Sequence, residues 1–109
     1  MSRRLWKQWT PYIHGQFVKP NLSPRELINP VNALPLDKIY EASLTQVQEA
    51  LVSAKDATIS SEWQTDHKFR RDRLLALAQK LEEHEHDMAE IESAQTGKPL
   101  GDALYEVND

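Results

Sequence analysis

A chain of 109 residues with 39% apolar and 28% charged residues has the composition of one small globular domain, and it is too short for two. Residues 1–25 carry +5 and no acid, while the remainder sets eight bases against seventeen acids, for a net −4. An acidic chain with scattered bases offers no phosphate-tracking surface, which argues against nucleic-acid binding, and the lack of cysteine removes disulfides, thiolate metal sites and thiol nucleophiles together.

No apolar run reaches the roughly 20 residues needed to cross a bilayer, and Met1–Thr10 lacks the apolar core of a secretory signal. A cytoplasmic location is the plain expectation, with an organelle-targeting leader the lesser alternative. Trp6, Trp9 and Lys7 could anchor at a membrane interface, but packing against protein is the better reading of so short a stretch.

After a leader over residues 1–11, Tyr12–Val18 is rich in strand formers and contains Gly15, which predicts one short strand or a tight hairpin. Pro20, Pro24, Pro30 and Pro35 then restrict the backbone throughout residues 19–37, predicting extended loop. Lys38–Leu44 resumes a strand-like run. Residues 12–44 thus form a strand-containing, proline-rich arm.

Residues 45–109 read as helical. Thr45 and Gln48 have capping-box spacing and place a helix start at 45; Val47, Ala50, Leu51 and Ala54 share a face, and Thr58–Ile59 favours an end. Trp63 falls in the connection, where it can plug the gap between two helices. A second helix from about Asp66 carries a stripe of Leu74, Leu77, Ala78 and Leu81. The stripe lapses at His84 and Glu85 and resumes at Met88 and Ile91, predicting a break near 84–86 and helix onward to about Ala94. Gly97 suits a left-handed terminator and Pro99 the first turn of a third helix through Leu104 and Val107. That helix shows no stop signal before Asp109, which reads as an interrupted end. The expected fold class is α+β and mostly α.

Candidate chemistry is sparse. His84 and His86 lie two apart on a helix, about 200° around it, and cannot share a metal; Met88 stands where a helical histidine pair would need its second member. Glu82, Glu83, Glu85, Asp87, Glu90 and Glu92 read as a solvated face. Gly97-Lys98 fails as a phosphate loop, because Glu92 occupies the leading glycine position and Pro99 that of the hydroxyl residue. No Gly-x-Ser-x-Gly is present, and no nucleophile with a base can be named.

Several segments, in order, resemble one family. Tyr12-Ile13-His14-Gly15-Gln16-Phe17-Val18 is similar to the opening strand pattern of NAD(P)-dependent aldehyde dehydrogenases, and Ile28-Asn29-Pro30 to the Asn-Pro after their first loop. Glu62-Trp63 resembles the tryptophan after the family's first helix, Arg70–Glu92 its following helix pair, and Gln95-Thr96-Gly97-Lys98-Pro99-Leu100 its Glu/Asp-Thr-Gly-Lys-Pro-Leu. The resemblance covers residues 12–107 and implies an N-terminal, incomplete part of the cofactor-binding domain. Full-length members oxidise aldehydes to acids: a cysteine attacks the carbonyl, hydride passes to NAD or NADP, and a glutamate-activated water releases the acid. None of those catalytic or nucleotide-binding residues maps onto this chain, so the resemblance implies a truncated segment that is inactive alone and has no cofactor site of its own.

One minor site does map. Some members hold a monovalent cation through carbonyls just before the Asn-Pro, here Leu27 and Ile28, and through the acid before Thr-Gly-Lys-Pro, here replaced by the uncharged Gln95. An alternative reading is a small helical interaction module that self-associates or docks on a full-length aldehyde dehydrogenase, since Leu74, Leu77, Leu81 and Ile91 have few partners available. A remnant that folds poorly is the third.

Overall fold

The computed structural model describes residues 9–60 and 62–109; Trp6, Lys7 and most of the leader lie outside them. In chain order come β1 (Tyr12–Ile13), β2 (Gln16–Phe17), β3 (Arg25–Ile28), β4 (Pro35–Ile39), α1 (Leu44–Ser60), α2 (His67–Glu83), α3 (Glu85–Thr96) and α4 (Leu100–Asn108). The strands make two separate two-stranded sheets, and the residues divide into two compact units.

One unit joins residues 9–25 to Ile39–Leu75. Its hairpin turns on His14 and Gly15, with φ of 53° and 76°, the two positive values that a two-residue turn matched to strand twist requires. Tyr12 opposes Phe17 and Ile13 opposes Gln16; the Tyr12 and Phe17 rings meet edge to face at 5.0 Å. The hairpin turns Ile13 inward, where it is buried as β1 packs on α1. Two clips hold the chain around it, the Tyr40 N–H donating to the Trp9 carbonyl at 2.8 Å and the Gln46 side chain to the Lys19 carbonyl at 3.0 Å.

The cap of α1 falls two residues earlier than its sequence suggests. The Ser43 hydroxyl accepts from the Gln46 N–H at 3.3 Å while Gln46 Oε1 accepts from the Ser43 N–H at 3.0 Å, a reciprocal capping box on Ser43 in place of Thr45–Gln48. Both pairs have the required spacing; Ser43 wins because Gln46 is also drawn inward by Lys19. The second helix starts where the sequence placed it, near Asp66, and the Asp66 carboxylate caps it, accepting from the N–H groups of Lys68 and Phe69 at 2.9 and 3.1 Å. Trp63 sits in the connection, 37% exposed.

The other unit joins Glu26–Lys38 to Ala76–Asp109. Here the proline-rich arm departs from the predicted extended loop by folding back as the hairpin β3–β4. Its prolines punctuate the strands: Pro24 precedes β3, Pro30 lies in the turn, and Pro35 opens β4, a first-residue position that needs no ladder donor. The turn is built from two asparagines. Asn29 Oδ1 accepts from the Val31 N–H at 2.9 Å and Asn32 Oδ1 from the Leu34 N–H at 3.0 Å, while Ala33 takes a left-handed φ of 60°. β4 therefore ends at Ile39, earlier than the predicted strand over 38–44.

The helical stripe breaks at His84, whose N–H reaches back only to the Leu81 carbonyl, three residues away, and whose φ and ψ of −117° and 16° leave the helical region. α3 resumes at Glu85, ends on Gly97 at φ 77°, and is followed by α4; Pro99 stands just before α4 as its N-terminal flank. α3 and α4 pack through Ala89 and Ala103, both with no exposed surface, small residues that let two backbones approach. The resulting molecule is α+β and mostly helical, with a thin core.

Candidate functional site

Residues 95–99 and the β3–β4 hairpin lie in the same unit, and one contact brings them together. A Cβ built on Gly97 would stand 3.2 Å from Pro30 Cγ, so the left-handed glycine ends α3 and also admits the hairpin turn against the helix end. The Gly97 N–H donates to the Ser93 carbonyl at 2.9 Å, and the Ser93 hydroxyl donates to the Lys98 carbonyl at 2.7 Å. Sequence motif and fold thus coincide: Thr-Gly-Lys-Pro is the segment that turns α3 into α4 beside Asn29-Pro30.

Lys98 holds this turn electrostatically. Its ammonium donates to Glu106 on α4 and pairs with Glu92 on α3 at 3.0 Å, bridging both helices from the link between them. The hydrogen bond to Glu106, then that to Glu92, raises its pKa above the ordinary lysine value. Glu92, which read as part of a solvated acidic face, is thereby an ion-pair partner.

The three cation-site candidates fall on these two elements. Leu27 and Ile28 are in β3, half-buried and exposed respectively, and Gln95 is exposed on the last turn of α3. All the donors are neutral oxygens of the hard type that a monovalent cation accepts, so the donor set fits such an ion in kind while supplying no charge.

In the other unit, an open groove of about 560 Å³ runs between the first hairpin and α1, with Ile13, Val18 and Val52 among its apolar residues. His14 Nδ1 meets Ser53 Oγ there at 2.9 Å, a pairing across 39 residues that no local pattern announces. A serine beside an imidazole is the start of a nucleophile, but among the described contacts this ring donates no hydrogen bond to an orienting carboxylate and no pair of N–H donors stands ready for an oxyanion. It pins the hairpin turn to α1.

His84 and His86 are exposed, and His86 stands 3.9 Å from Glu85. Among the described residues no group of three or more histidines or carboxylates converges for a metal. A dinucleotide phosphate needs a glycine-rich turn between a strand and a helix. The three glycines here lie in a hairpin turn, at the end of α3 and in the first turn of α4.

Comparison with known proteins decides the family. The aldehyde dehydrogenase family model matches residues 17–109. The chain belongs to the aldehyde dehydrogenase family. Within it, the chain is 36% identical over 94 residues to the mitochondrial aldehyde dehydrogenase of Leishmania tarentolae, covering 84% of this chain and 18% of that protein. It is 32% identical over 103 residues to a peroxisomal aminoaldehyde dehydrogenase of Pisum sativum, 90% of this chain and 20% of that protein. A crystal structure of betaine aldehyde dehydrogenase from Staphylococcus aureus, in complex with NAD+, superposes with a TM-score of 0.85 at 30% identity over 94% of this chain and 21% of that one. The chain therefore spans about a fifth of the length of such relatives and has the fold of the N-terminal segment of an aldehyde dehydrogenase. No helix among the described residues is long and apolar enough to cross a membrane.

Proposed function

We propose that this chain supplies the N-terminal scaffold of an NAD(P)-dependent, cytoplasmic aldehyde-oxidising protein and that the 109-residue polypeptide catalyses no oxidation alone. The observation that carries this reading is the coincidence of family membership with a sequence that has no cysteine to attack an aldehyde carbon. NAD(P), where the whole family fold binds it, accepts the hydride; the residues of this chain shape structure around that chemistry and touch none of it. Purified chain incubated with NAD or NADP and a range of aliphatic, aromatic and amino aldehydes is expected to show no increase in nicotinamide absorbance. Saturable turnover that survives repurification would overturn the reading.

The cation contact is part of the same proposal. The backbone carbonyls of Leu27 and Ile28 with the side-chain amide oxygen of Gln95 would hold sodium or potassium weakly, because Gln95 replaces an acid. Sodium-23 line broadening that titrates with the chain and falls in Gln95→Ala supports it; identical broadening by the variant counts against it.

A second reading is favoured by one specific observation. α2 contains no buried residue, and Leu74, Leu75 and Leu77 are each more than half exposed. Such a face suits an interaction module that self-associates or docks on a full-length aldehyde dehydrogenase. Light scattering across a concentration series distinguishes the two, since a strict monomer that ignores an added full-length relative removes the module.

A further inference from the structure

The connection between α1 and α2 holds a groove of about 510 Å³, within the range of small-molecule sites, lined by Ala54, Ala57, Thr58, Trp63, Phe69 and Arg73. Its chemistry is uneven in an informative way. Two alanines leave the α1 wall low, and Trp63 and Phe69 supply flat apolar faces. The Arg73 guanidinium lies 5.0 Å from the centre of the Phe69 ring, a cation–π placement that keeps its fork beside the groove. No carboxylate lines the groove, and Arg73 makes no ion pair among the described residues. Three nearby charged residues are already engaged. Asp66 accepts from the first N–H groups of α2, Asp72 pairs with Arg71 at 2.7 Å, and Arg70 donates to the Trp63 and Gln64 carbonyls, which ties down the connection.

We propose that this groove binds small amphipathic carboxylates, with the apolar body between Trp63 and Phe69 and the carboxylate on the Arg73 guanidinium. The sign of the charge follows from Arg73. Its size follows from the helix start: the leading N–H groups of α2 are taken by Asp66, so no backbone cradle remains for a phosphate, and one guanidinium matches one carboxylate bidentately. The apolar requirement follows from the aromatic walls and the alanine floor, which gain by excluding water. The inference rests on this groove alone and is independent of the aldehyde-oxidising reading.

The test is a titration of the full chain with 3-phenylpropanoate, followed by the indole N–H signal of Trp63 in a nitrogen–proton correlation spectrum and assigned by its loss in Trp63→Phe. The uncharged 3-phenylpropan-1-ol is the matched control. A saturable shift is expected with the acid, and about tenfold weaker binding of the alcohol, as loss of one charge-assisted pair requires. Arg73→Met should weaken the acid to the level of the alcohol and leave the alcohol unchanged, whereas Ala54→Leu, which raises the floor without touching charge, should weaken both. Should Arg73→Met unfold, high salt applied to the wild-type chain makes the same distinction, weakening the acid and sparing the alcohol. Equal binding of acid and alcohol, an acid response indifferent to both Arg73→Met and salt, or no saturable shift would each overturn the proposal.

Discussion

Gly97→Ala tests the contact that joins the end of α3 to the turn of the second hairpin. An alanine in the left-handed region costs about 1–2 kcal/mol, and its stiffening of the unfolded chain returns about 0.4–1 kcal/mol. Gly15, at φ 76° with nothing within 4 Å of an added Cβ, isolates that balance, so Gly15→Ala should destabilise by about 0.5–1 kcal/mol. Gly97 has nearly the same φ, but its Cβ would stand 3.2 Å from Pro30 Cγ, closer than ordinary contact. Relieving that overlap adds about 1 kcal/mol, for a total of about 1.5–2 kcal/mol at Gly97. With a urea slope of about 1.5 kcal/mol/M, the two variants should differ in midpoint by about 0.7 M in urea unfolding followed by far-ultraviolet circular dichroism. In a Pro30→Ala background the excess should vanish and Gly97→Ala should fall to the cost of Gly15→Ala, giving an interaction energy of about 1 kcal/mol. Equal costs at the two glycines, or an excess that persists without Pro30, would refute the claim that the hairpin turn bears on the helix end.

Three further outcomes follow from particular bonds. Ser43→Ala should cost about 1 kcal/mol and Thr45→Ala almost nothing in the same unfolding assay, because Ser43 caps α1; the reverse order would restore the Thr45 cap. Gln46, only 6% exposed, serves both Ser43 and the Lys19 carbonyl, so Gln46→Leu should cost about 1–3 kcal/mol through the partners it strands, and a change within experimental error would show those partners rehydrate freely. Lys98 has its pKa raised, by Glu106 foremost and then Glu92, so its pairing stabilises the fold fully below the ordinary value of 10.5 and is lost as pH rises through the higher folded value. The urea midpoint of the wild-type chain should therefore fall in that alkaline window by more than that of Lys98→Met, and parallel profiles would remove the ion pair from the account.

Much of the helical half was legible from local chemistry. The break at His84, the terminator at Gly97 and the start of α2 near Asp66 each depend on residues within a few positions of one another, and so does the hairpin at His14-Gly15. The second hairpin was hidden for a local reason as well: four prolines suppress strand propensity in aggregate, although each occupies a position that a strand boundary or turn tolerates. Its formation turns on the Asn29 and Asn32 side chains bonding their own backbone, a signal that lay in the sequence beneath the louder one. The motif Gln95–Leu100 and the Asn-Pro were visible as strings, and with them the family resemblance, but that Gly97 meets Pro30 was not.

What the sequence by itself determined is therefore the run of helices, the first hairpin and the absence of a thiol nucleophile, since each follows from residue type and short-range spacing. Only tertiary structure decided which of two capping boxes forms, that His14 reaches Ser53, that Lys98 bridges Glu92 and Glu106, and that Arg73 comes to rest over Phe69 beside Trp63. Those are choices among contacts of similar local strength. They are settled by burial and by partners brought in from distant parts of the chain, which spacing along the backbone does not encode.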